Sequence, residues 1–167
     1  MALSGDQRTI VKGVADKIRQ LLKNNDCRRL IQGDLDDNDF RVPQAVPRLD
    51  FLENHNGITY FHGAEFNAGS GPAIAAVRGT YTGFGRSSPR IVLGYYFFQE
   101  SVGLQGLGIV EYWKIKTDEA RVLVLIHELK HDLTRDPHTG APGGSNDEWN
   151  QAILKKCFGI TREIPKP

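Results

Sequence analysis

The chain has 167 residues, of which 40% are hydrophobic and 25% are charged, and its formal net charge is +1. These values are ordinary for one globular domain, which we expect to span residues 1–167. The sequence has no basic stripe of the kind that binds nucleic acid, and no apolar run approaches the ~20 residues of a membrane-spanning helix.

The first third of the chain predicts one helix followed by a connector. Apolar residues recur at helical spacing over residues 7–31, which predicts a single amphipathic helix; they are Ile10, Val14, Ile18, Leu21 and Leu22. Residues 33–57 are rich in Asp, Pro and Gly. Their composition predicts a loop-rich connector with one short turn at most.

From residue 58 onward the apolar pattern is that of β-strands. Three short segments predict strands separated by Gly-rich turns, at residues 58–61, 73–77 and 90–98. Because they are few and short, we expect a small mixed or antiparallel sheet. Together with helices at both ends of the chain, this sheet indicates an α+β fold.

Residues 117–133 predict the central helix. Thr117 is a candidate N-cap, and Asp118 and Glu119 supply acidic residues for the first turn. The stretch 122–126 is apolar on every side, so we expect the helix to run through the core. The helix should end near residues 133–135, before Pro137.

A last helix is predicted after a glycine-rich loop at residues 140–144. Ser145, Asn146 and Asp147 offer capping residues, and Gly159 is placed to stop the helix after Phe158. This helix closes the predicted α+β domain.

The central helix carries His127-Glu128-Leu129-Lys130-His131. Two His four residues apart lie on one face of a helix, one turn from each other, and can bind one metal ion. Neutral imidazoles suit Zn²⁺, and a catalytic zinc has three protein ligands and a water. Glu128 follows the first His directly, so we expect it beside the bound water as general base, able to pass the proton to a leaving amine. The pattern predicts zinc-dependent hydrolysis of a peptide bond, with His127 and His131 as ligands.

The third zinc ligand is open among four residues. Glu148 ranks first, because a carboxylate from a following helix can complete such a site. An acid in the first turn of a helix also has an ordinary structural role, since its charge interacts favourably with the helix dipole. His138 ranks second and Asp147 third, since Asp147 is equally suited to capping the last helix. Asp136, which precedes a proline, is equally suited to a turn.

Four further side chains could donate a hydrogen bond to an oxyanion. They are Tyr95, Tyr96, Tyr112 and His62. Tyrosine and histidine also fill ordinary roles in protein cores, so the sequence does not separate these roles.

The two cysteines, Cys27 and Cys157, lie near opposite ends of the chain. They could be two buried thiols or a disulfide that links the first helix to the last. Their separation does not match a zinc-finger spacing, and neither lies near the His pair in sequence, so we exclude them as metal ligands.

The apolar helix, its His-Glu-x-x-His motif and the preceding strand together resemble the zincin-type zinc metallopeptidases. The resemblance covers about Arg90–Phe158. It implies a zincin-like fold in which the strand at residues 90–98 lies beside the active-site helix and offers an edge to an extended substrate. Lys130 and Asp132 depart from the small or apolar residues common around the motif. The metzincin pattern does not match, because Thr134 stands where that pattern has Gly.

A narrower resemblance rests on the segment 150–157 together with Asn25-Asp26-Cys27. These segments are similar to small bacterial zincin-like domains, which often form the C-terminal part of surface, secreted or toxin-like proteins. The resemblance implies a Cys27–Cys157 bridge and an extracellular or delivered setting. The first residues do not have the pattern of a signal peptide, so a cytoplasmic protein, an excised domain or another export route stays open.

The expected partner is a peptide or protein substrate; the sequence does not determine an oligomeric state. One alternative function is a zinc hydrolase of a non-peptide amide. Another is a zincin-fold effector or binding module that holds zinc with little turnover.

Overall fold

The structure is a computed structural model that describes residues 2–33, 44–61, 74–78, 90–100, 102–104, 107–134 and 145–161. Its helices are α1 Gly5–Leu21, α2 Asn25–Gln32, α3 Ala45–Asn54, α4 Ile109–Trp113, α5 Thr117–Thr134 and α6 Ser145–Phe158. Its strands are β1 Ile58–Tyr60, β2 Ala75–Arg78, β3 Arg90–Leu93, β4 Gly103–Leu104 and β5 Leu107–Gly108. The combination of helices with a small sheet confirms the α+β prediction.

The single helix predicted over residues 7–31 is wrong, because the structure has two helices there. α1 ends at Leu21, and α2 begins at Asn25. The side chain of Asn24 accepts hydrogen bonds from the backbone N–H groups of Asp26 and Cys27. These bonds start a new helix at the point where the apolar periodicity alone predicts continuation.

The connector predicted over residues 33–57 contains a helix of ten residues, α3. Pro47 lies in the first turn of this helix, where a backbone N–H has no intrahelical partner, so the proline does not interrupt it. The loop predicted from the Asp, Pro and Gly content is therefore wrong over this helix. Residues 34–43 lie outside the described part of the chain.

Three strands form a mixed sheet in the order β1-β3-β2. β1 runs parallel to β3, and β2 runs antiparallel to it. The strand predicted over residues 90–98 is shorter than expected, because a 3-10 turn at Tyr95–Phe97 follows Gly94. β3 is also the central strand, so the edges among the described strands are β1 and β2. The expected substrate edge at residues 90–98 is therefore wrong.

The core is built around α5, whose bounds confirm the predicted helix. Its apolar residues are almost fully enclosed between the sheet and α1, α2, α3 and α6; the most buried are Ala120, Val122, Leu123, Leu125, Ile126 and Leu129. The start of α5 differs from the prediction. The Lys116 N–H donates to the Glu119 carboxylate, while the Thr117 hydroxyl donates to the Glu100 carbonyl and does not cap the helix.

A disulfide between Cys27 and Cys157 joins α2 to α6, with the two Cα atoms 4.7 Å apart. This confirms the bridge implied by the resemblance and excludes the pair of free thiols. α6 has the predicted extent, and Gly159 follows it with a φ of +69°. None of the helices in the described ranges is long and apolar enough to cross a membrane.

Candidate metal site

The two His of the motif face each other on α5. The Nε2 atoms of His127 and His131 are 3.1 Å apart, and the His127 residue is only 5% exposed. A carboxylate oxygen of Glu128 completes a group in which all three ligand atoms lie within 4.8 Å of one another. Helical spacing thus places the two imidazole nitrogens side by side, as the motif predicts, and the Glu128 carboxylate lies next to them. This group is close enough to bind a metal ion.

Asn150 of α6 fixes the ring of His127 from the other side. Its side-chain Oδ1 lies 2.7 Å from His127 Nδ1. Because a carboxamide oxygen only accepts hydrogen bonds, Nδ1 carries the proton and the lone pair of the neutral ring is on Nε2. The nitrogen that faces His131 is therefore the one available to a metal.

Glu128 reaches from α5 to the edge of the sheet, where its carboxylate accepts a hydrogen bond from the backbone N–H of Val77 in β2. Burial of this carboxyl group raises the pKa of Glu128 to about 8, and the Val77 hydrogen bond acts in the opposite direction. The raised pKa describes the protein without a metal. A cation beside the carboxyl group would favour its charged form.

The Trp149 side chain of α6 packs against the His pair. Its ring centroid lies 4.6 Å from that of His131 and 5.2 Å from that of His127. The ammonium group of Lys130 lies over the indole ring, 4.5 Å from its centroid. α6 therefore provides both the hydrogen-bond partner of one ligand and an apolar surface beside both of them.

The two residues that depart from the zincin pattern make structural contacts. The Lys130 ammonium donates to the Leu30 carbonyl near the C-terminus of α2, at 2.8 Å. Asp132, whose side chain is 1% exposed, accepts two hydrogen bonds from the Arg48 guanidinium of α3, at 2.7 and 3.1 Å. Both side chains connect α5 to neighbouring helices, which explains polar residues at these positions.

The candidates for the third ligand are less well placed. Glu148 is exposed, and Asp147 accepts a hydrogen bond from the Tyr112 hydroxyl at 3.0 Å. Neither residue belongs to the group of three ligand atoms found among the described residues. His138 and Asp136 lie outside the part of the chain that the structure describes.

Of the suggested oxyanion donors, Tyr112 has its hydroxyl engaged by Asp147. Burial raises the pKa of Tyr112, and so does the Asp147 carboxylate. The residue Tyr95 is 42% exposed. His62 lies outside the described residues.

Comparison with protein-family models, with curated proteins and with solved structures finds no match. Two nitrogen ligands of one tetrahedral zinc, each about 2.0–2.1 Å from the ion, lie about 3.3 Å apart. The separation of 3.1 Å between the two Nε2 atoms is close to this distance. The spacing of the two imidazole nitrogens thus fits that of two zinc ligands.

Sequence reasoning did not identify three groups at this site, namely Asn150, Trp149 and the Val77 N–H. For Asn150 a signal existed, because it precedes the buried Ile153 by three residues and so occupies a core-facing position. A buried polar side chain requires a partner. The Val77 N–H gave no sequence signal, since every residue except proline carries one.

Proposed function

We propose that this protein is a zincin-type zinc metallopeptidase that hydrolyses peptide bonds. One observation carries the proposal: two imidazole Nε2 atoms lie 3.1 Å apart, and the Glu128 carboxylate lies within reach of both. This arrangement supports a metal bound by His127 and His131. The described part of the chain contains no other group of three such ligand atoms.

His127 and His131 would hold the zinc, and Glu148 stays our first prediction for the third ligand. Zinc, when bound, lowers the pKa of a water to about 7 and polarises the carbonyl that is attacked. Glu128 acts as general base, taking a proton from the attacking water and delivering it to the leaving amine. The Asn150 side chain orients His127, and the Trp149 indole shields one side of the His pair from solvent.

The proposed substrate is a peptide or protein. The Cys27–Cys157 bridge supports an extracellular or delivered setting, because disulfides persist in oxidising compartments. Together with the resemblance to small secreted zincin-like domains, this setting favours a substrate met outside the cytoplasm of the producing cell.

The test compares zinc-loaded wild type with Glu128→Gln on an unfolded protein substrate and on short fluorogenic peptides. Removing the general base should lower kcat by about 10²- to 10⁴-fold. The zinc content should not change, because both His ligands are retained. Glu111→Gln is the matched control, since Glu111 is an exposed residue of α4 and its variant should behave as wild type.

Three outcomes would contradict the proposal. Retained hydrolysis in Glu128→Gln would exclude this mechanism. A wild type that holds zinc but cleaves no substrate would point to an effector or binding module. Cleavage of small amides without cleavage of peptides would point to a non-peptide hydrolase.

A further inference from the structure

The register of the sheet determines which backbone groups of β2 face β3. Val77 pairs with Ile91, and Ala76 pairs with Val92. Just before β2, the Gly94 N–H donates to the Ile74 carbonyl at 2.7 Å, so residues 74 and 94 form a hydrogen-bonded pair. This one bond fixes the pattern along the whole ladder.

In an antiparallel ladder, hydrogen-bonded and non-hydrogen-bonded pairs alternate. Counting from the pair 74 and 94, Ala76 exchanges its backbone hydrogen bonds with Val92. Ala75 and Val77 belong to non-hydrogen-bonded pairs, so their N–H groups point away from β3. The Val77 N–H therefore points outward from the sheet, at an edge of the strands described.

The outward edge of β2 faces the metal site. Ala75 and Ile91 belong to the main core, whereas Ala76 and Val92 form a separate small cluster. α5 thus packs on the face of the sheet that carries Ala75. From this helix Glu128 reaches the edge of β2, and its carboxylate accepts the hydrogen bond of the Val77 N–H.

We propose that the backbone N–H of Val77 is a positioning group for the general base, holding one oxygen of the Glu128 carboxylate at the sheet edge while the other is directed toward the His pair. The inference rests on the proposed peptidase function. A flexible glutamate that must take a proton from a water at one defined point loses efficiency when its carboxylate can rotate away. The sheet supplies a fixed donor that prevents this rotation.

Because the proposed role uses only the backbone N–H of residue 77, activity should tolerate most substitutions of Val77 but not proline. Val77→Ala keeps the N–H and should keep activity. Val77→Pro removes the N–H without removing a bond to β3, and proline is tolerated where an edge-strand N–H points outward. We expect Val77→Pro to lower kcat by about 10- to 100-fold, the usual effect of losing such a supporting contact. KM and zinc content should stay near wild type.

Ala75→Pro is the matched control, because the Ala75 N–H also points outward from the same strand. It introduces the same ring two residues away, so any general damage to β2 appears in both variants. Equal losses of kcat in Ala75→Pro and Val77→Pro would overturn the inference, as would full activity in Val77→Pro.

A second measurement needs neither activity nor a proline variant. Amide hydrogen exchange by NMR should show a protected Val77 N–H in the wild type. In Glu128→Ala this N–H should exchange at least about 10-fold faster, while Ala76, bonded to β3, stays protected. An unchanged rate at Val77 would overturn the inference whatever the activity. If Val77 exchange depends on Glu128 but the wild type hydrolyses nothing, the peptidase function fails, and with it the catalytic meaning of the contact.

Discussion

Among the individual residues of the site, His127 has a ring that makes a contact at both nitrogens. Nε2 faces His131 at 3.1 Å, and Nδ1 bonds to Asn150 at 2.7 Å. Because a metal needs the lone pair of Nε2, the proton on Nδ1 and its acceptor decide whether the ring is ready to bind. Metal affinity should therefore depend on a residue that is not itself a ligand.

Asn150→Ala removes the acceptor at Nδ1. We expect zinc affinity to fall by about 10- to 100-fold, because His127 loses its fixed tautomer and orientation. Competition with a chromophoric chelator measures the change. Asn150→Asp keeps an acceptor and should stay close to wild type, as should Gln151→Ala at the exposed neighbouring position. Equal affinities of Asn150→Ala and wild type would show that the ring needs no such partner.

At the scale of elements, α5 supplies the candidate ligands and α6 supports them. α6 contributes Asn150 and Trp149 and is bonded to α2 through the Cys27–Cys157 disulfide. The position of α6 thus depends on a covalent link far from the ligands along the chain. Loosening this link should affect both stability and zinc binding.

Replacing both cysteines with serine should lower the free energy of unfolding of the zinc-free protein by about 5 kcal/mol, as the chain-entropy relation gives for so long a loop. The two cysteines are 130 residues apart in the chain. Urea denaturation measures the loss. Zinc affinity should also fall, because Asn150 lies on the released helix. Reductant should reproduce the effect in wild type and leave the double variant unchanged; a wild type indifferent to reductant would contradict the prediction.

The sequence predicted the elements unevenly, for physical reasons. α5 and α6 were predicted with nearly correct bounds, because each has a continuous pattern and a clear stop signal. The break between α1 and α2 was missed, since Asn24 caps a helix with a side-chain bond that apolar periodicity does not show. α3 was missed because Pro47 signals a loop unless its place in the first turn is known.

At the scale of the whole molecule, the site depends on segments that are distant in sequence. α5 brings two imidazoles and a carboxylate, β2 brings the Val77 N–H, and α6 brings Asn150. A third ligand of the proposed zinc site would come from outside the His-Glu-x-x-His turn. Among the described helices, α6 lies against the His pair and carries two of the candidates.

Metal content of single alanine variants identifies the third ligand. We expect Glu148→Ala to lose zinc, because Glu148 lies in the first turn of α6, the helix beside the His pair. His138→Ala and Asp147→Ala should keep it and serve as controls for each other. Full zinc in Glu148→Ala would contradict the assignment, and loss in another variant would transfer the role to that residue.

By itself, the sequence determined the α+β class and the pairing of His127, Glu128 and His131 on one helix. These features follow from spacing along the chain, because a helix converts a separation of four residues into adjacency. The tertiary structure decided the disulfide, the contact of Asn150 with His127, the packing of Trp149 on the His pair and the hydrogen bond from the Val77 N–H to Glu128. Each of these joins residues that only packing brings together, and one involves a backbone group that every residue but proline carries.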